Sequence, residues 1–168
     1  MNALNFNIKY GLLAGTLLII VKYIILVSFE DVDELAVYID YAGLIALAAC
    51  AYLAVVEKRN QFNQGLITFG ESFMICMYVT LIAAIMVAGF LYVYAAYIDP
   101  SRADRMVAET EKFMRNKKYK EEDIQKAIAN ARVYYKPMTQ MVMGITVMLY
   151  GLFISLVVSA FTKRTKRN

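Results

Sequence analysis

Four long apolar runs constrain this chain more than any other feature. They cover residues 8–29, 39–56, 72–98 and 138–161. Each is near or beyond the roughly 18 residues that carry a helix across about 30 Å of hydrocarbon. A single soluble core in a chain of 168 residues has no room for four such segments, so they predict four transmembrane helices. Composition agrees. Hydrophobic residues make up 60% and charged residues only 19%, below the usual quarter or so. The expected fold class is an all-α membrane protein. Its expected architecture is a four-transmembrane-helix bundle with a short helical hairpin between the third and fourth spans, with residues 1–168 as a single membrane domain.

The first run differs from a cleavable signal peptide. Only Lys9 precedes its core, no small-residue cleavage site follows, and Lys22 interrupts it.

The chain has no histidine and two cysteines. That excludes His-dependent triads and Cys–His nucleophile pairs and removes the commonest metal ligands. No paired acid and base marks a catalytic site, and no cofactor is expected. The net charge of +4 comes from bases that flank apolar runs, so it reads as membrane orientation and not as nucleic-acid binding. Cys50 and Cys76 read as packing residues within their spans.

Orientation follows from the short connections. Residues 30–40 hold Glu30, Asp31, Asp33, Glu34 and Asp40 and no base, whereas four bases follow Phe161. Both termini are therefore expected in the cytoplasm. The ten bases of residues 99–136 oppose this count, and a folded segment carries them across. Tyrosine replaces the absent tryptophan at the interfaces, with Tyr38, Tyr41, Tyr92, Tyr94, Tyr97, Tyr134 and Tyr135 near the outer one.

Residues 99–136 are the one long polar stretch. Asp99-Pro100 stops the third span. Ser101 is expected to cap a first helix with Asp104 as its capping-box partner. Ala103, Met106, Val107, Thr110, Phe113 and Met114 recur on one face. A second helix begins near Glu121, with three acids at its positive end. The pair reads either as a solvated connector or as a docking surface for a protein partner or the membrane surface.

Small residues mark the faces on which helices approach in lipid. Gly11 and Gly15 form a GxxxG motif in the first span. Ala42, Ala46, Cys50 and Ala54 make a ladder in the second, and Gly151, Ser155 and Ser159 make one in the fourth. Packing within one chain accounts for them, with a homo-oligomer through Gly11 and Gly15 as the alternative. Lys22 is the one charge deep in a span. It is within reach of Asp40 or Asp99 near the outer end, as a snorkelling or paired structural charge. Thr68 and Glu71 fit the T-x-x-E capping box of the third span.

Several of these segments, taken in order, resemble a known family. Tyr10-Gly11-Leu12-Leu13-Ala14-Gly15 opens the first helix, and Thr68-Phe69-Gly70-Glu71-Ser72-Phe73 opens the third. Tyr92, Tyr94, Tyr97 and Ile98-Asp99-Pro100 close it, before a charged helical segment, a glycine-bearing fourth helix and a basic tail. The arrangement resembles the bacterial four-helix membrane proteins of domain-of-unknown-function family 4199, over nearly the whole chain. Met74-Ile75-Cys76 departs from the small or basic residue expected there. The resemblance implies a bacterial inner-membrane protein and no particular chemistry. The expected function is a non-enzymatic structural or accessory one. The alternative is a small transporter or channel subunit using Lys22 and Glu71.

Overall fold

The computed structural model describes residues 3–28, 34–142 and 144–164, which are almost entirely helical. The order is α1 (Ala3–Ser28), α2 (Glu34–Gln61), α3 (Phe69–Val93) and a π-helical turn (Tyr94–Ile98). Then come α4 (Arg102–Asn116), α5 (Glu121–Tyr134), α6 (Pro137–Val142) and α7 (Gly144–Thr162). Among the described residues the one extended pairing is an antiparallel bridge. In it the Ile67 and Arg164 N–H groups each donate to the other's carbonyl at 2.9 Å.

Four helices are long and apolar enough to cross a membrane: Asn7–Ser28, Val37–Gln61, Phe69–Ile98 and Gly144–Thr162. The protein is a multi-pass, all-α membrane protein. One boundary differs from the hydropathy reading. The second span continues as helix through Glu57, Lys58 and Arg59 to Gln61. Charge ends an apolar run but not a hydrogen-bond ladder, and bases are favourable in a last turn. Helix is described over Pro137–Val142 (α6) and over the apolar span Gly144–Thr162 (α7). The acids at 30, 31 and 33 and the bases at 166 and 167 lie outside the described residues.

The chain divides into two compact units, Met1–Val87 with Ile145–Asn168, and Ala88–Gly144. In the first, α1, α2, most of α3 and α7 form the bundle. Its interior combines small residues with a few aliphatic ones: Ala14, Ala51, Ala54, Cys76, Ala83, Ser155 and Ser159 are almost fully buried, as are Leu47, Val55, Val79 and Val87. Many of its large apolar side chains, such as Ile45, Ile85, Leu149 and Phe153, point outward. Water would penalise that distribution. Lipid tails are as apolar as leucine, so close backbone approach decides what goes inside.

In the second unit α4 lies against α5, with Met106, Val107 and Ile124 buried. The α3 helix ends through the π turn, where the Asp99 N–H donates to the Tyr94 carbonyl at 2.9 Å. Ser101 precedes α4 but makes no capping bond. Its hydroxyl instead donates to Asp99 at 3.0 Å and accepts from Arg105 at 2.7 Å. A charged pair competes successfully for it.

Candidate functional site

Ionisable residues inside a membrane are costly and mark functional sites by default. Gly43 lets α1 and α2 approach, since a Cβ there would lie 3.1 Å from Leu18 and 3.3 Å from Val21. Just beyond this contact the Lys22 Nζ reaches both Asp40 carboxylate oxygens, at 2.6 and 2.7 Å. The two side chains are 28% and 47% exposed, so the pair lies at the side of the bundle and not on its axis. At the other end of the same helix pair Tyr10 donates a short hydrogen bond to Glu57, and the Lys9 Nζ lies 3.5 Å from the same carboxylate. Glu57 is only 17% exposed. The antiparallel α1–α2 pair is thus tied by a lysine–carboxylate contact near each end.

Glu71 opens α3. Its carboxylate accepts from the Thr68 N–H and the Thr68 hydroxyl, both at 2.9 Å, and its own N–H donates to Thr68 Oγ1 at 3.3 Å. This is a reciprocal capping box. Asp99 lies in the second unit, where Arg105 meets both its oxygens, at 3.2 and 2.5 Å. That hydrogen-bonded guanidinium, with Ser101, holds the Asp99 carboxyl below its ordinary value.

The glycines of the packing motifs face α3. A Cβ at Gly11 would lie 2.7 Å from Ile82, one at Gly15 2.5 Å from Met86, and one at Gly151 1.9 Å from Thr80 Cγ2. Ser155 is fully buried and its hydroxyl donates to the Gly151 carbonyl at 2.6 Å. Ala42 is exposed and Ala46 half-buried, while Gly43, Leu47, Cys50 and Ala54 take the inner face of α2. A row spaced by four residues drifts around a helix of 3.6 residues per turn, so its first members turn outward. Among the described residues the buried hydroxyls of Ser72 and Thr80, both on α3, have no hydrogen-bond partner.

The second unit carries a different kind of surface. Arg115, near the end of α4, meets Glu121 of α5 at 2.9 and 3.1 Å and Glu111 at 2.8 Å. These bonds raise the Arg115 pKa, and Gln125 with Arg115 lowers that of Glu121. Lys126 pairs with Glu122 at 2.6 Å. Between them, residues 117–120 form an exposed turn.

Among the described residues no group of three His, Cys, Asp or Glu side chains is placed to hold a metal. The arrangement therefore offers helix-tying charge pairs in the bundle and a polar surface in the second unit. The Tyr10–Glu57 contact was not read from the sequence. A signal was present: with Lys22 set opposite Asp40, antiparallel pairing brings residues near 9 and 57 together.

The family model described as "Protein of unknown function (DUF4199)" matches residues 9–164. No curated protein and no solved structure shows significant similarity to the chain.

Proposed function

The chain belongs to the DUF4199 family of proteins of unknown function, and from that premise we propose a non-enzymatic structural or accessory role in the bacterial inner membrane. In this reading both termini are cytoplasmic, the bundle is a scaffold, and the α4–α5 pair is its recognition surface outside the cytoplasm. The acid-only 30–40 connection and the basic tail support the orientation. One observation carries the role: Lys22 and Glu71, the charges a transport path would use, are engaged in structural contacts. Lys22 is held by Asp40, Lys9 and Tyr10 meet Glu57, and Glu71 caps α3. Neither broken helices nor a row of inward ionisable groups marks a transport path through the described spans.

The competing reading is a small transporter or channel subunit using Lys22 and Glu71. Flux measurements on proteoliposomes under proton, sodium and potassium gradients separate the two. The accessory role predicts no flux above that of empty vesicles. A flux that disappears in Lys22→Met but persists in Lys112→Met overturns it.

A further inference from the structure

We propose that the turn between α4 and α5 is a binding site for anionic phospholipid headgroups, which seats this unit on a membrane surface. The proposal rests on the reading of α4–α5 as the recognition surface and names what it recognises. Three features of the turn carry it.

The first is charge. Lys112, Lys117, Lys118 and Lys120 are exposed and enter no ion pair among the described residues. Of the neighbouring acids, Glu111 and Glu121 share the guanidinium of Arg115 and Glu122 pairs with Lys126, while residues 112–120 hold five bases and no acid. A cluster of lysines left without carboxylates complements an anionic lipid surface.

The second is the pair of aromatic rings among those lysines. Phe113 is 59% exposed and Tyr119 is 52% exposed. The Lys117 Nζ lies 5.9 Å from the centre of the Phe113 ring. Amphipathic rings beside lysines are the composition of a segment that sits at headgroup depth. An acidic protein surface would complement the lysines but gives less reason for two rings left in water.

The third is backbone strain. The Tyr119 N–H donates to the Met114 carbonyl at 3.1 Å and the Lys118 N–H to the Arg115 carbonyl at 3.0 Å. This is a Schellman ending, with Lys118 in the left-handed position at φ 57°. Glycine serves that position without steric cost. A lysine held there is unfavourable for the fold, and such strain points to a use for the side chain.

The chain has no tryptophan, so Tyr119→Trp gives the full-length protein a single reporter at the turn. It is reconstituted into phosphatidylcholine vesicles with and without phosphatidylglycerol. Emission and quenching by brominated lipid are then recorded. Expected are a blue shift and quenching that need phosphatidylglycerol and are reversed by about 1 M salt, where the screening length falls to about 3 Å. The triple change Lys117→Gln, Lys118→Gln and Lys120→Gln should remove both, at about fivefold per lysine in headgroup affinity.

Lys118→Gly separates fold from function. It should raise thermal stability while weakening the phosphatidylglycerol-dependent quenching. Emission that is the same in both lipids overturns the proposal, whether the ring stays in water or inserts regardless of charge. That result leaves the accessory reading standing, with a protein partner on this surface, whereas a Lys22-dependent flux would overturn the accessory reading whatever the turn binds.

Discussion

Lys22 on α1 holds both carboxylate oxygens of Asp40 on α2, at 2.6 and 2.7 Å, and so fixes the register of the first two spans near one end. Lys22→Met leaves Asp40 unbalanced, but that carboxylate is near the start of its helix and almost half exposed. The expected loss is about 1–2 kcal/mol, below the roughly 3–5 kcal/mol of an orphaned buried charge. Lys22→Met with Asp40→Asn should recover part of it. Unfolding midpoints in detergent for the two single variants and the double variant measure the coupling.

Gly151 and Thr80 make the tightest interhelical approach around any glycine, 1.9 Å from an added Cβ to Thr80 Cγ2. A β-branched side chain is stiff and cannot turn away, so α3 and α7 must separate. Gly151→Ala should therefore destabilise by about 1–3 kcal/mol. Adding Thr80→Ala should restore part of the loss, because it removes the two nearest atoms and a buried hydroxyl, but leaves the residue-80 Cβ 2.8 Å from the added methyl. Gly89→Ala meets nothing within 4 Å and should stabilise its helix by about 0.5–1 kcal/mol. An equal loss in both variants would show that the close approach is not what holds the seam.

The spans were legible because hydropathy and helix length are local properties. Pairing was not. Sequence left Lys22 a choice of Asp40 or Asp99, and only the antiparallel placement of α1 on α2 selects Asp40, while Arg105 takes Asp99. Ala42 and Gly43 are equally small, yet Gly43 alone meets α1, because the inner face is set by helix rotation. The Thr68–Glu71 box could be read directly, since both partners lie within one turn. Phe113 fits the apolar stripe of α4 by spacing but is exposed in the last turn, with Lys117 beside its ring.

The capping box separates two roles for Glu71. Thr68→Ala removes the hydroxyl that receives the Glu71 N–H and should cost about 1 kcal/mol. Glu71→Gln keeps an acceptor for the Thr68 N–H, as glutamine serves in the same box, and should change stability little. A titrating role for Glu71 predicts the opposite order in any activity assay, with Glu71→Gln the more damaging.

Acid should loosen the second unit. Asp99 is held below its ordinary 3.8 by Arg105 and Ser101, and Glu121 below 4.5 by Gln125 and Arg115. Both carboxyls have folded pKa values depressed relative to the unfolded chain. The stability they contribute is therefore fully present above the ordinary carboxylate range and is lost as pH falls through the folded values. Amide exchange in residues 99–136, corrected for its intrinsic pH dependence, should speed up below about pH 4. Asp99→Asn should start from lower protection and show a smaller acid step. An unchanged step in that variant would remove Asp99 from the account.

Impermeant thiol labelling of whole cells tests the orientation, and the structure makes the assay clean. The native thiols Cys50 and Cys76 are both buried inside the bundle and should give little background. Lys117 lies in the exposed α4–α5 turn, so Lys117→Cys should react from outside without prior permeabilisation. Lys166→Cys, in the basic tail, should react only after the membrane is opened. The reverse pattern would place the termini outside and the α4–α5 turn in the cytoplasm. The lysines of that turn would then face the cytoplasmic leaflet, where anionic lipid is also presented, so the orientation and the headgroup site stand or fall separately.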